Sequence, residues 1–479
     1  MNVLLIYPWY PYSSVSTFEE PLGILYLASA LLQTRHKVDV ADLTFNHELK
    51  GLKEQVLLAD VVGISAPTPL FGIATEVLNY IKKINPQAHT LVGGPHATAD
   101  PEVTLSSGFD IAVIGEGEVT IVELVEKLST GGHLDEVAGI AYLEDGNLQV
   151  TPKRPFIANV NEIALPARQF IDYSRYRRLG IISMRGCPYR CLFCKPLEDK
   201  LFGKKLRMRS LASVVDEIVQ LVAHYGNRQI GFKDDTLTVN KTEWFEGLKK
   251  ELLKRNLSVS WQCSSRVDTV DFDKLKAMKE AGCRQIFFGI ESGSQRILNY
   301  YCKDTTVEKT IETFAQCRRA GIRACASVML GAPSETREDL EKTYQLIKTI
   351  KPFNWHVHMT TPMFGSHLYD RAKAEDRLDT NADYSAFEPT GNIYRLHMPM
   401  KVDHLSASDI SEYRDRINSY MKFRLLLRCM VDFRIWREIL FSRGLRTIAF
   451  NFIRRHFGLR GWKVRSRYPM ARSVRQKLK

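Results

Sequence analysis

The chain has 479 residues, 44% of them hydrophobic and 25% charged, a composition that excludes collagen-like, coiled-coil and wholly disordered proteins. It contains neither an apolar run of about 18 residues nor the basic start of a signal peptide, so we expect a cytoplasmic protein without a membrane-spanning helix. The formal net charge is +13, but residues 421–479 hold 17 Lys and Arg against 2 Asp and Glu, which leaves the rest of the chain nearly neutral.

Residues 1–135 alternate short apolar runs with helical patterns, which predicts a parallel sheet covered by helices on both faces. The predicted strands are Val3–Tyr7, Val38–Asp42, Val61–Ser65, Thr90–Val92 and Ile111–Ile114. Glycine, proline and small polar residues follow the last three of them, in loops 65–69, 93–96 and 115–118. Ligands of open α/β sheets bind at the carboxyl ends of the strands, so these loops predict a sizeable flat ligand there.

Residues 136–179 are predicted to form a hairpin, around Asp145-Gly146, and then a proline-containing linker. Residues 180–375 resume the alternation as six βα units, two short of a complete (βα)8 barrel. The predicted strands are Ile181–Met184, Gln229–Phe232, Val259–Cys263, Gln285–Gly289, Ala324–Leu330 and His356–Thr360. His356 and His358 alternate on the last strand, so that one side of it could face the barrel lumen. Residues 376–479 are predicted as a weakly patterned connector and a basic helical tail.

Three of the nine cysteines, Cys187, Cys191 and Cys194, lie directly after the first strand of the second region. Thiolates are soft ligands that suit an iron–sulfur cluster or zinc. A four-iron cluster on three cysteines leaves one iron open for a small molecule. Zinc needs a fourth ligand, and the sequence up to Cys263 offers only His224. Zinc and a chance spacing stay open, although the strand-then-loop context favours the cluster.

The spacing Cys-x3-Cys-x2-Cys after a strand, with Phe193 before the third cysteine, resembles the signature of the radical S-adenosylmethionine (SAM) superfamily. The resemblance covers about residues 175–375. It implies that the three cysteines bind a [4Fe–4S] cluster, that SAM chelates the fourth iron, and that reduction cleaves SAM to a 5′-deoxyadenosyl radical. A flavodoxin-like or ferredoxin-like electron donor is implied as a partner. The SAM contacts that the resemblance implies stand at successive strand ends: Asp234, Asp235, Arg266, Glu291, Ser292 and Gly331.

Segments 4–8, 21–23, 93–98 and 115–118 resemble the cobalamin-binding domain that is fused to many radical SAM enzymes. No Asp-x-His-x-x-Gly motif is present, so the resemblance implies a cobalamin without a lower axial histidine from that motif, and His96 is interpreted as a hydrogen-bonding loop residue. The alternative is a sheet that has lost its ligand and only supports the barrel. The cobalamin contacts that we predict are Pro21, Gly23, Ser65, Thr68, Gly93, Gly94, His96, Gly115 and Glu116.

The expected fold is therefore α/β: a Rossmann-like cobalamin-binding domain, a partial (βα)6 TIM-type barrel and an α-helical basic C-terminal region. The resemblance implies a methylase that acts on an unactivated carbon of a small-molecule, lipid or pigment substrate. A cyclase without methyl transfer, an RNA-modifying enzyme and a non-catalytic cobalamin or cluster sensor stay open as alternatives. No RNA-binding module is recognisable, so nucleic acid is not the expected partner. The tail interleaves arginines with aromatic residues, which suits either contact with a membrane surface or packing against the barrel.

Overall fold

The computed structural model describes residues 1–9, 20–176, 179–194, 201–226, 229–379, 384–389 and 397–431. The chain divides after residue 421, and residues 1–421 form one compact unit. In the described ranges, no helix has both the length and the apolar character needed to cross a bilayer. The predicted basic tail lies outside the described residues from position 432 onward.

The N-terminal sheet has seven strands. In chain order they are β1 (Asn2–Tyr7), β2 (Lys37–Asp42), β3 (Val61–Ser65), β4 (His89–Gly93), β5 (Ile111–Val113), β6 (Ile140–Glu144) and β7 (Asn147–Val150). Their spatial order is β2-β1-β3-β4-β5-β6-β7, and the first five are parallel. The predicted hairpin is β6–β7. It extends this sheet, because β6 pairs antiparallel with β5, the last of the parallel strands.

Both faces of the N-terminal sheet are buried. Along β1, Val3 and Leu5 belong to one apolar core, and Leu4 and Ile6 belong to the core on the opposite face. A parallel sheet needs such two-sided cover, since its βα crossovers place helices on both faces. The helices of this region are Leu22–Leu32, Lys53–Leu58, Phe71–Ile84, Pro95–Ala99, Pro101–Ser106 and Gly117–Thr130.

The second sheet has six parallel strands, and neighbours in space are neighbours in the chain. Between its first two strands the chain also forms a separate two-stranded ribbon. In chain order the strands are β8 (Leu179–Ile181), the ribbon strands β9 (Met184–Arg185) and β10 (Arg207–Met208), then β11 (Gln229–Phe232), β12 (Ser260–Ser265), β13 (Cys283–Glu291), β14 (Arg323–Leu330) and β15 (Trp355–Met359). The first predicted strand of this sheet, Ile181–Met184, is therefore wrong in its extent: β8 ends at Ile181, and Met184 pairs with Met208 in the ribbon instead.

Helices connect the strands of the second sheet, at Leu211–Tyr225, Thr242–Lys254, Phe272–Glu280, Gln295–Tyr300, Val307–Arg319, Arg337–Ile350 and His367–Ala374. A long helix, Ala407–Val431, begins in the weakly patterned part of residues 376–479 and continues into the part that the sequence predicts as helical. Its buried residues Ile410, Tyr413, Ile417 and Met421 recur every three or four positions and join the main core. The sequence does not show where this helix begins, because polar and charged residues separate its few apolar ones.

Candidate cluster and cofactor site

The three cysteines lie in a loop that leaves β9 and returns through β10. Gly186 begins the loop with φ of +97°, and a Cβ built on it would lie 2.4 Å from the carbonyl oxygen of Lys205. The next residue, Cys187, donates its backbone N–H to the carbonyl of Gly203 at 3.3 Å. Only glycine fits between these two carbonyls, because the left-handed conformation and the close approach both exclude a side chain.

The cysteine side chains differ in exposure: Cys187 is buried, and Cys191 and Cys194 are half-buried. None of the three forms a disulfide. Leu192 anchors the loop, since its N–H donates to Tyr301 and its carbonyl accepts from Leu368, both at 2.9 Å. Within the described ranges, no three His, Cys, Asp or Glu side chains are grouped so that they could hold a metal ion. The fit to a cluster therefore depends on the donor type, three soft thiols in one short loop, and on their cationic surroundings.

Arg266 supplies one of the positive charges. Its Nη1 lies 3.4 Å from Sγ of Cys191, and its guanidinium stacks 3.9 Å above the ring of Tyr189. Asp268 holds the other side of the guanidinium by two hydrogen bonds of 2.9 and 2.7 Å. This buried fork is fixed beside the cysteines, at the position where the sequence predicts a contact to the SAM carboxylate, and that contact stays a prediction.

Lys303 supplies the second charge, and sequence reasoning missed it. Its Nζ lies 2.6 Å from Oε1 of Glu291, and both side chains are buried. Burial alone would lower the pKa of Lys303, but the Glu291 carboxylate and the Cys191 thiol outweigh it and raise that pKa, so the ammonium stays charged. Glu291 has φ of +55°, and its carboxylate folds back over Gly289, where a Cβ would lie 2.3 Å from Oε1.

Of three further predicted SAM contacts, Asp234 and Ser292 are buried and Asp235 is exposed. Asp234 accepts the N–H groups of Ser183 and Met184 at 2.8 and 2.6 Å, so its carboxylate fixes the chain just before the cysteine loop. Burial raises the pKa of Asp234 to about 7. Asp235 is exposed, and Ser292 is buried with its hydroxyl 3.1 Å from that of Thr343. Their contacts to SAM stay predictions.

Gly331, the last predicted SAM contact, follows β14 with φ of +90°. Its N–H and that of Ala332 donate to Oε2 of Glu335, at 2.6 and 3.1 Å. The other oxygen of Glu335, Oε1, is buried and has no hydrogen-bond partner among the described residues. Burial raises the pKa of Glu335 to about 8, so this carboxyl is largely protonated at neutral pH.

The lumen face of the second sheet is less buried than the face that packs against the helices. Side chains alternate along β12 to β15, and the core face carries buried residues such as Ile286, Phe288, Val328 and Val357. The opposite face carries Ser264, Phe287, Ser327, His356 and His358, of which Ser264 and His356 are exposed. The ring of His356 lies 5.6 Å from that of Phe287 and 5.9 Å from that of His358, measured between centroids. Burial lowers the pKa of His358 to about 4, and that of His356 is lowered too.

At the ligand edge of the N-terminal sheet, His96 is buried between aromatic rings. Its ring centroid lies 4.1 Å from that of Phe71, 5.2 Å from Phe364 and 5.1 Å from Tyr384. Nδ1 lies 3.2 Å from Oγ1 of Thr68, whereas Nε2 is buried without a hydrogen-bond partner in the described part of the chain. A buried polar atom without a partner costs free energy, so this nitrogen fits an edge that holds a ligand. Burial lowers the pKa of His96 to about 4, which keeps the imidazole neutral.

The other predicted cobalamin contacts lie around the same edge or just outside it. Gly94 has φ of +96°, with Oγ of Ser65 3.5 Å from the position of its missing Cβ, and Gly93 ends β4. Gly115 donates its N–H to Oγ1 of Thr98 at 3.0 Å. Pro21 is buried at the start of helix Leu22–Leu32, and Gly23 is exposed.

Glu116, the last of these predicted contacts, forms ion pairs with residues that lie outside the N-terminal sheet. Its carboxylate oxygens pair with Arg185 and Arg207, each at 2.9 Å. Both arginines belong to the ribbon from which the cysteine loop extends, and sequence reasoning did not find them. The structure thus connects the ligand edge of the first sheet directly to the base of the cysteine loop.

The site combines the three-thiol loop of the six-stranded sheet with the ligand edge of the N-terminal sheet. The sequence model of the radical SAM superfamily matches residues 181–347, and that of the B12 binding domain matches residues 12–125. An uncharacterized methyltransferase of Pyrococcus horikoshii is 34% identical over 449 residues, which cover 89% of this chain and 94% of that relative.

Two further proteins extend the comparison. The anaerobic magnesium-protoporphyrin IX monomethyl ester cyclase of Rubrivivax gelatinosus is 30% identical over 88% of this chain and 77% of its own length. The solved structure of the radical S-adenosylmethionine methyltransferase TsrM from Kitasatospora setae, with cobalamin and a [4Fe–4S] cluster bound, has a TM-score of 0.69 at 18% identity, over 85% of this chain and 84% of that chain. This structural likeness shows the shared fold.

The chain belongs to the radical SAM superfamily and, within it, to the cobalamin-dependent radical SAM enzymes that carry an N-terminal B12-binding domain. The protein is a radical SAM enzyme whose cofactors are a [4Fe–4S] cluster, SAM and cobalamin. The fold class, the family and the three cofactors that the sequence predicts are confirmed. The assignment of single residues to single cofactors stays a prediction.

Proposed function

We propose that this enzyme transfers a methyl group to an unactivated carbon of a small organic substrate. When bound, the cluster and SAM supply a radical that removes a hydrogen atom from the substrate, and cobalamin supplies the methyl group. The chain's own residues have the tasks of holding and orienting: Cys187, Cys191 and Cys194 as cluster ligands, and Arg266 and the Lys303–Glu291 pair as the charged wall for SAM.

The observation that carries the proposal is the contact between the two cofactor regions. Glu116, one residue after the predicted cobalamin loop position Gly115, is bound to Arg185, two residues before the first cysteine. A methyl carrier and a radical source must both reach one substrate carbon, and this contact is what such a shared site requires.

The lumen wall supports an uncharged substrate. Ser264, Ser327, His356 and His358 supply hydroxyls and neutral imidazoles, which donate and accept hydrogen bonds without carrying charge at neutral pH. Phe287 adds an apolar surface to the same face. We infer that the reacting part of the substrate is apolar or weakly polar, because the one charged residue in the carboxyl-terminal halves of β12 to β15, Glu291, is already paired with Lys303.

The experiment that tests the function uses the full chain, purified without oxygen and reconstituted with iron, sulfide and hydroxocobalamin. It is incubated with a reductant and with SAM that carries a deuterated methyl group, together with candidate lipids, pigments and secondary metabolites. We expect 5′-deoxyadenosine, S-adenosylhomocysteine and a product that carries the label. The matched control is Cys191→Ala, which should abolish all three. Failure of the reconstituted wild-type protein to cleave SAM would refute the proposal.

A second function has one observation in its favour, the 30% identity to a magnesium-protoporphyrin monomethyl ester cyclase. Cyclisation would also consume SAM to 5′-deoxyadenosine, but no label from the SAM methyl group would enter the product. The same experiment therefore separates the two reactions.

Two partners complete the proposal. The first is a one-electron donor of the flavodoxin or ferredoxin type, since SAM cleavage needs an electron. The second is an anionic membrane surface, contacted by the basic tail, which would bring the enzyme to a lipid-soluble substrate. Flotation with anionic liposomes tests the tail: the full chain should float, and a chain that ends at residue 431 should not. Equal flotation of the two proteins would contradict membrane contact through the tail.

A further inference from the structure

The neck of the cysteine loop is a ribbon that carries two like charges. Strands β9 and β10 have two residues each, and Arg185 lies directly opposite Arg207. So short a ribbon has little stability of its own. Two positive side chains directly opposite each other on an antiparallel pair destabilise it further. Taken alone, this neck should open.

Glu116 lies between the two arginines. Its Oε1 accepts from Nη1 of Arg185 and its Oε2 accepts from Nη1 of Arg207, both at 2.9 Å. Oε2 also accepts the N–H of Ile157 at 2.8 Å. The carboxylate thus binds both strands of the ribbon at once and converts a repulsive pair into an attractive triad.

A second carboxylate completes the charge balance, since Oε1 of Glu118 pairs with Nη2 of Arg185. The exposed fractions of the side chains are 6% for each arginine, 3% for Glu116 and 11% for Glu118. Two guanidinium groups and two carboxylates therefore neutralise one another in a nearly dry environment. Removal of one member of such a set leaves an uncompensated buried charge, which is strongly unfavourable.

Both carboxylates come from the N-terminal domain. Glu116 is the N-cap position of helix Gly117–Thr130, and Glu118 is in its first turn. The loop that carries them follows β5, at the edge of the sheet where the cobalamin contacts are predicted. The neck of the cysteine loop is thus held closed by the other cofactor domain.

We propose that Glu116 is a positioning residue for the iron–sulfur cluster, which acts by clamping Arg185 and Arg207 at the neck of the loop that carries the cysteines. The inference rests on the cluster and not on methyl transfer, so it stands or falls separately from the proposed reaction. It assigns to the N-terminal domain a second task besides cobalamin binding, that of keeping the cluster loop closed.

The test compares three variants of the full chain, each reconstituted with iron and sulfide without oxygen. Glu116→Gln keeps the shape of the side chain and removes its charge. Glu116→Gln with Arg207→Met removes one charge of each sign and leaves the neck neutral. Glu123→Gln is the matched control, since Glu123 lies on the same helix and pairs with Arg154 instead of a ribbon arginine. Iron per chain, the rate of iron removal by a chelator, and the electron paramagnetic resonance spectrum of the reduced cluster are measured, together with the melting temperature.

We expect Glu116→Gln to lose iron roughly tenfold faster than the wild type and to show an altered cluster spectrum. The double variant should recover most of the iron retention, and Glu123→Gln should match the wild type. Wild-type retention in Glu116→Gln would overturn the proposal. A double variant that loses iron, or stability, as badly as the single one would overturn it equally, because the clamp acts through charge balance. Absence of a cluster from the wild-type protein would instead refute the proposed function.

Discussion

Gly186, directly before the first cysteine, can be used to test whether the neighbouring backbone fixes the conformation of the cysteine loop. Gly186→Ala places a methyl group 2.4 Å from the carbonyl oxygen of Lys205 and 3.0 Å from that of Gly203. Both neighbours are backbone atoms, so neither can rotate away. The methyl group is accommodated only if the two sides of the neck move apart, which changes where Cys187 is held.

The magnitude has two parts, and both act on the cysteine loop. A left-handed conformation for a residue other than glycine costs about 1–3 kcal/mol wherever it occurs. Overpacking against fixed atoms adds about 1–3 kcal/mol, which corresponds to a roughly 5- to 150-fold change in the population of the open loop. Gly146 is the matched control, because its φ is +79° and nothing lies within 4 Å of its Cβ position. Gly146→Ala, in the turn of hairpin β6–β7, therefore carries a similar conformational cost outside the cysteine loop and should release iron as the wild type does.

The assay is the rate at which a chelator removes iron from the reconstituted cluster under anaerobic conditions. We expect Gly186→Ala to release iron at least fivefold faster than Gly146→Ala, by the lower bound of the overpacking estimate. Equal rates for the two alanine variants would show that the carbonyls of Lys205 and Gly203 do not confine the loop.

Two buried groups give further predictions. Lys303→Met leaves the Glu291 carboxylate buried without its cation, at a cost of about 3–5 kcal/mol, so the melting temperature should fall. Adding Glu291→Gln removes the unpaired charge and should restore part of the lost melting temperature. No recovery in the double variant would mean that the two side chains do not interact. Because burial raises the pKa of Glu335 to about 8, the folded chain holds a proton that the unfolded chain releases at lower pH. The stability that the protonated Glu335 side chain contributes is therefore present at acidic pH and is lost as the pH rises through about 8. Glu335→Gln should remove this pH dependence. Melting curves of both proteins between pH 6 and 9 measure the difference.

The sequence predicts those features whose signal lies in neighbouring residues of the chain. Apolar runs and turn residues are local, so strands such as β1 and β3 are predicted to within one residue. The ribbon strand β9 is missed because Met184 looks like the end of an apolar strand, and only the pairing with Met208, from beyond the cysteine loop, separates it from β8. The beginning of helix Ala407–Val431 is missed because its buried stripe is narrow.

The sequence by itself determined the chemistry of the site: three thiols in one short loop, the two α/β regions and the cofactors that each of them binds. Spacing along the chain encodes these features, since the three cysteines lie within eight residues. Only the tertiary structure decided which charges surround them. Lys303 meets Glu291, and Glu116 meets Arg185 and Arg207 from 69 and 91 residues away. Such contacts arise when separate elements pack together and bury charge that must be neutralised, and no local pattern records which opposite charge does so.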